Sequence, residues 1–168
     1  MIKSFYLNRI VYYLAGTAAV VFVLSFFFAP LYNAANVLLV LLVIGVLMDM
    51  ILLYSKNNGL SGERIVSERF SNGDNNKVLI QFHNNFPFPI TAGVIDELPV
   101  QFQERNWMRK IKIGSNSRHD LEYSLKPLTR GEYVFGNINV YVNSPLRLVK
   151  RRFTFQQEEM VKVYPSYQ

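Results

Sequence analysis

TRGEYVFGNINVYVNSPLRLVKRR, residues 129–152, sets alternating Tyr, Val, Phe and Ile between Gly131, Gly136 and Pro145, then closes on a cluster of positive charge. Apolar side chains at every second position, punctuated by glycine and proline, mark short strands joined by tight turns. The same grammar extends upstream. ERIVSERF and KVLIQFHN flank the turn signal SNGDN, and Val78, Ile80 and Phe82 alternate with Leu79, Gln81 and His83. FPFPI interrupts pairing, because proline lacks the backbone donor. AGVIDELP, VQFQER, LEYSLKP, KRRFTF and MVKVYP supply further strands, and only the region from Glu104 to Ile111 has a short helical look. The expectation is an immunoglobulin-like β-sandwich over 63–168, long enough to bury one core.

The first third of the chain reads differently. Ile10 to Phe28 carries no charge, and neither does Asn36 to Met48, after which Asp49 precedes another apolar run to Tyr54. A bilayer crossing needs roughly 20 apolar residues. The expected class is therefore membrane-anchored all-β: a two-helix transmembrane hairpin over 1–55, with spans at about 10–29 and 36–54, then a linker at 56–62 and the sandwich. Pro30 and Asn33 suit the turn between the helices, and Gly16, Ala18 and Ala19 permit close helix contact. Lys3 and Arg9 precede the first span, while Lys56 and Arg64 follow the second. By the positive-inside rule this predicts a multi-pass membrane protein with both termini cytoplasmic.

Little chemistry is legible. The chain has no cysteine, and its two histidines, His83 and His119, fit no ligand spacing and read as turn residues. Asp96 and Glu97 are adjacent, so on a strand they project to opposite faces rather than converging on a substrate. Gly131 and Gly136 lack the spacing of a phosphate-binding loop. No catalytic residue, metal ligand or cofactor is expected, and the chain reads as no enzyme. Asp49 admits two readings: a hydrated carboxylate at the end of the second span, or the centre of a small transporter or channel subunit. The formal charge is +6, and Arg147, Lys150, Arg151 and Arg152 could face anionic lipid or another protein domain. A recognition helix and a base-stacking aromatic pattern are both missing, which argues against nucleic acid. Trp107, set between charged residues, looks exposed enough to contact a partner, although a Trp in such a setting is more often a local packing anchor.

LKPLTRGEYVFGNINVYVNSPLRLVKRR, followed by VKVYP, resembles the DUF58 signature, a pattern like PxxRGxYxFGxxxVxxxDPFGLFxRR and then VxVYP. The matching residues are Pro127, Arg130, Gly131, Tyr133, Phe135, Gly136, Pro145, Leu148, Arg151, Arg152, Val163, Tyr164 and Pro165. Upstream, SERF, the Gly and Asp turn and DELP are similar to the first half of the same family pattern. Ser144 stands where the commoner form has aspartate and Arg147 where it has glycine, so an Asx-type turn is less expected here. The resemblance implies a cytoplasm-facing protein of the bacterial cell inner membrane, encoded beside a MoxR-type AAA+ ATPase and von Willebrand factor A-like proteins; with no catalytic group legible, the expected function is a membrane-anchored, non-enzymatic scaffold or interaction protein associated with them. The resemblance also implies a large von Willebrand factor A-like domain following position 168, which makes this chain the amino-terminal part of such a protein.

Overall fold

The structure is a computed structural model that describes residues 4–104 and 107–165. Lys3, used above as a flanking charge, lies outside the described residues. The chain divides into two units: residues 1–57 with 143–152, and residues 58–142 with 153–168.

In the first unit, β1 (Phe5–Leu7) leads into α1 (Arg9–Leu24), and α2 (Pro30–Tyr54) follows. Asn8 caps α1, its side chain accepting from the Arg9 amide at 2.8 Å. Pro30 takes the first position of α2, where its missing N–H costs nothing, so the turn falls at 25–29 and Asn33 lies inside the helix. Val11 and Ala18 of α1 are buried, as are Ala35, Asp49 and Leu53 of α2, whereas Val23, Leu41 and Ile51 are exposed. Near the turn, Phe22 and Tyr32 meet edge to face at 6.1 Å. The unit is completed by the tip of a later hairpin: β1 pairs antiparallel with the start of β10 (Val149–Phe155), Phe5 opposite Arg151 and Leu7 opposite Val149.

These helices correct the expected two-span hairpin. At about 1.5 Å per residue the 16 residues of α1 reach about 24 Å, short of a hydrocarbon core of roughly 30 Å. Only α2, with 25 residues, is long and apolar enough to cross a membrane among the described residues. The multi-pass inner-membrane localisation with both termini cytoplasmic goes with it. One of its supporting charges, Arg64, is 4% exposed inside the second unit and does not flank a span.

The second unit is built from strands, starting with β2 (Leu60–Val66), so the expected linker is shorter than 56–62. Antiparallel β2, β4 (Asn76–Asn84) and β7 (Arg118–Leu125) form one sheet, with Arg64 opposite Ile80 and Phe82 opposite His119. β11 (Glu159–Tyr164) lies between β3 (Arg69–Ser71), which it pairs in parallel, and β8 (Gly131–Phe135), which it pairs antiparallel. β9 (Ile138–Asn143), β5 (Ile90–Asp96) and β6 (Arg109–Ile113) stand side by side, with the end of β10 beside β9. Alternation supplies the core. Val78, Ile80, Phe82, Ala92, Val94, Phe135, Ile138, Val140 and Val161 have almost no exposed surface. The unit is a β-sandwich.

Local sequence explains several details. Asn84 is fully buried; its amide donates to the Phe88 and Gly114 carbonyls at 3.0 and 2.6 Å, and its oxygen accepts from the Phe86 amide at 3.0 Å, shaping the FPFP loop. The expected single strand EYVFGNINVYV is broken at Gly136 and Asn137 into β8 and β9, and VQFQER holds a short 3-10 turn over Val100–Phe102. Glu104 to Ile111 is no helix: its described part enters β6, while positions 105–106 lie outside the described residues.

Candidate functional site

Two polar nodes carry the buried charge of the described residues, one in each unit. In the first unit, Asp49 is fully buried. Its carboxylate accepts the Ser144 hydroxyl, the Leu146 amide at 3.2 Å and the Leu148 amide at 3.0 Å. Ser144 in turn accepts the Val149 amide on its hydroxyl oxygen at 3.2 Å. The turn closes normally, Arg147 N–H donating to the Ser144 carbonyl and Ser144 N–H to the Val149 carbonyl, both at 3.0 Å. Ser144 makes no Asx-type turn of its own, since the amide two residues on, that of Leu146, is taken by Asp49 instead. Arg147 has φ +59°, in the left-handed region that glycine adopts most easily.

The contact is reciprocal. Arg151, from the hairpin tip, donates to the carbonyls of Leu53 at 2.6 Å, Lys56 at 2.9 Å and Asn57 at 3.3 Å, satisfying acceptors at the end of α2. Its guanidinium also lies 4.6 Å from the Tyr54 ring centre. Burial pulls this guanidinium below its ordinary value, with the nearby Tyr54 acting in the opposite direction. One helix carboxylate holds the backbone of the tip, and one tip guanidinium holds the backbone of the helix. Leu148 packs against α2, where a Cβ added at Gly45 would come 3.0 Å from its side chain.

The second node centres on Asp96, 3% exposed, at the end of β5. Arg64 grips it with two nitrogens, Nε at 3.2 Å, and Tyr123 donates its hydroxyl to the same carboxylate. Arg64 also donates to the Gln157 carbonyl at 2.9 Å and the Gly136 carbonyl at 3.0 Å, and stands 4.8 Å from the Phe135 ring centre. Burial, and then the Asp96 charge, push the Tyr123 phenol far above its ordinary value. Burial also raises the Glu159 carboxyl, with Arg64 pulling the other way. Arg64 and Asp96 both have their hydrogen-bonding partners, the condition under which a buried ion pair is tolerated.

Adjacent Glu97 turns outward. It accepts from the Asn137 amide at 2.9 Å and the Asn139 side chain at 2.7 Å, and its backbone exchanges bonds with Gly136 N–H at 2.8 Å and the Asn137 carbonyl at 3.1 Å. A Cβ at Gly136 would sit 2.5 Å from the Glu97 carboxylate, which is why glycine stands in this motif position. Tyr133, 1% exposed, donates to the Thr129 carbonyl at 2.9 Å, and Gly131 between them has φ +139°. This is the tyrosine corner of many sandwich domains.

No protein-family model matches the chain, and no curated protein matches it. Solved structures do resemble it. The PapD-like domain 7 of human CEP192 shares 9% identity at a TM-score of 0.45, covering 65% of this chain and 87% of that one. A CARDB domain from Pyrococcus furiosus shares 15% identity at 0.41, covering 62% and 87%. A PKD domain of an M14-like peptidase from a Thermoplasmatales archaeon shares 13% at 0.35, covering 62% and 93%. The likeness is to the β-sandwich alone. None of these comparisons supports the DUF58 family specifically.

Of the motif residues, Pro127, Phe135, Leu148 and Val163 are buried, while Arg130, Pro145 and Tyr164 are exposed and Arg152 and Pro165 half-buried. Arg151, expected to face lipid or a partner, is held on the end of α2. Trp107, expected to be exposed, is 5% exposed and packs on Tyr123 at 4.5 Å. His83 and His119 sit in β4 and β7 rather than in turns, and line a cleft of about 660 Å³ with Ser61, Glu63, Gln81 and Asp120. Among the described residues no group of three or more His, Cys, Asp or Glu could hold a metal ion. Asp49 also loses its hydrated reading, since it is enclosed by the hairpin tip.

The sequence reading missed Arg64 and Tyr123. The signal was present in part: Leu60, Gly62, Arg64 and Val66 share one face of a strand whose other face carries the polar Ser61 and Glu63, so Arg64 falls on the inner face and needs a buried acid.

Proposed function

We propose that the chain is a non-enzymatic scaffold that presents the β9–β10 hairpin tip to a protein partner. The observation that carries this reading is the reciprocal hold of Asp49 and Arg151, which fixes the tip backbone while leaving Pro145, Leu146 and Arg147 exposed. A loop ordered before binding loses little entropy when a partner arrives. An arginine kept in the left-handed region, at an intrinsic cost of about 1 kcal/mol, fits a side chain retained for contact. Buried charges saturated by structural partners support the non-enzymatic part of the reading.

The partner class follows from the motif resemblance: a MoxR-type AAA+ ATPase or a von Willebrand factor A-like protein. The test is affinity capture from bacterial extract with the tagged full chain and with a Leu146→Ser/Arg147→Ser variant. The parent should retain an ATPase or a von Willebrand factor A-like protein that the variant loses. Equal recovery by both, or recovery of neither protein class, refutes the proposal. The transporter reading of Asp49 is displaced, because all three of its hydrogen-bond donors come from the tip.

A further inference from the structure

The charges of the first unit are one-sided. Its segments carry seven Lys and Arg against a single acid, Asp49, and that carboxylate is consumed by the hairpin tip. The first turn of α1 holds no acidic residue either. The structure sorts the basic residues further. Arg151 points at α2 and is spent on backbone carbonyls. Lys150 and Arg152, its neighbours on a strand, therefore project to the opposite face of the β1–β10 ribbon, with Tyr6 directly across from Lys150. Arg147 is exposed at the apex of the tip. Arg9 is exposed and follows Asn8, whose N–H donates to the Leu148 carbonyl at 2.8 Å, so it is tied to the same tip.

We propose that Arg9, Arg147, Lys150 and Arg152 form a binding surface for phosphate groups. Two arginines able to grip phosphate oxygens in pairs stand on the tip or its strand, and no acidic side chain of the unit competes with them. The chemistry is that of a phosphate, whether in a lipid headgroup or in a free polyphosphate. This inference does not depend on the protein-scaffold reading, since it concerns charge and not capture of a protein.

The experiment uses the full chain in non-ionic detergent with two probes: mixed micelles containing phosphatidylglycerol or phosphatidylcholine, and soluble inositol hexakisphosphate. The parent should bind at least one anionic probe and ignore phosphatidylcholine. Each charge removed at an anionic surface should weaken binding roughly fivefold, so Arg9→Gln/Arg147→Gln/Lys150→Gln/Arg152→Gln should lose several hundredfold. Binding of phosphatidylglycerol micelles alone assigns a lipid headgroup, and binding of the soluble probe assigns free phosphate. A Lys110→Gln/Lys112→Gln variant in the second unit controls for general charge, and circular dichroism confirms that each variant is folded. The proposal is overturned if neither anionic probe binds, if the folded fourfold variant binds like the parent, or if the control variant loses as much.

Discussion

Replacing Asp49 by Asn keeps the shape of the side chain and removes its charge, which makes it a sharp test of the hold between α2 and the hairpin tip. The carboxylate receives three donors in a site with no solvent exposure. An asparagine oxygen can accept at most two of them, and its NH2 group confronts the third. One buried donor left unmet costs about 1–3 kcal/mol, and the surviving bonds each lose about 1 kcal/mol of charge assistance. The expected sum is about 3–5 kcal/mol, or roughly a hundredfold at least in the opening equilibrium of the tip. Amide hydrogen exchange reads this directly at Leu146 and Leu148, whose N–H groups are the donors. Both should exchange at least about a hundredfold faster in Asp49→Asn. The Asn85 amide, bonded to the Gly59 carbonyl at 2.9 Å in the second unit, should not change. A Ser144→Ala change should weaken the hold less, and the double variant should fall short of the summed effects. Unaltered exchange at both leucines would sink the claim that Asp49 orders the tip.

In the second unit, Asp96→Ala strands the Arg64 charge and the Tyr123 hydroxyl and should cost about 3–5 kcal/mol in denaturant unfolding, whereas a Glu97→Ala change, on the outward side, should cost clearly less. Because the Tyr123 phenol is raised in the folded state, the folded chain holds that proton after the unfolded chain has released it; stability should fall as pH rises above the ordinary tyrosine value, and Tyr123→Phe should flatten that fall in unfolding curves taken at alkaline pH. Gly136→Ala drives a methyl group against the Glu97 carboxylate and should lower stability by about 1–3 kcal/mol; if its melting temperature matched the parent, the close approach would be disproved. Tyr133→Phe should cost about 1 kcal/mol through loss of the bond to the Thr129 carbonyl, read as a lower denaturation midpoint.

Patterning made the strands legible, because a half-buried strand must repeat at every second residue whatever its neighbours do. Val78, Ile80 and Phe82 point inward as their spacing required, and Gly136 and Pro145 mark breaks in the chain. Apolar runs likewise announced two helices. Their lengths depended on where the turn fell, and Pro30 moved it earlier than the composition suggested, leaving α1 too short to match α2. The motif positions were visible as letters, while their jobs were not. Arg151 and Asp49 are just over a hundred positions apart in the chain, and only pairing of β1 with β10 and the return of the hairpin tip to α2 bring them into one reciprocal contact. Arg64 read as a flanking charge until the β2–β4 register turned it inward onto Asp96. Local sequence determines which way a side chain faces along its own element, since that is a matter of backbone period. Which charge it meets there is decided by long-range pairing, and for this chain that pairing settles which basic residues are structural and which remain exposed.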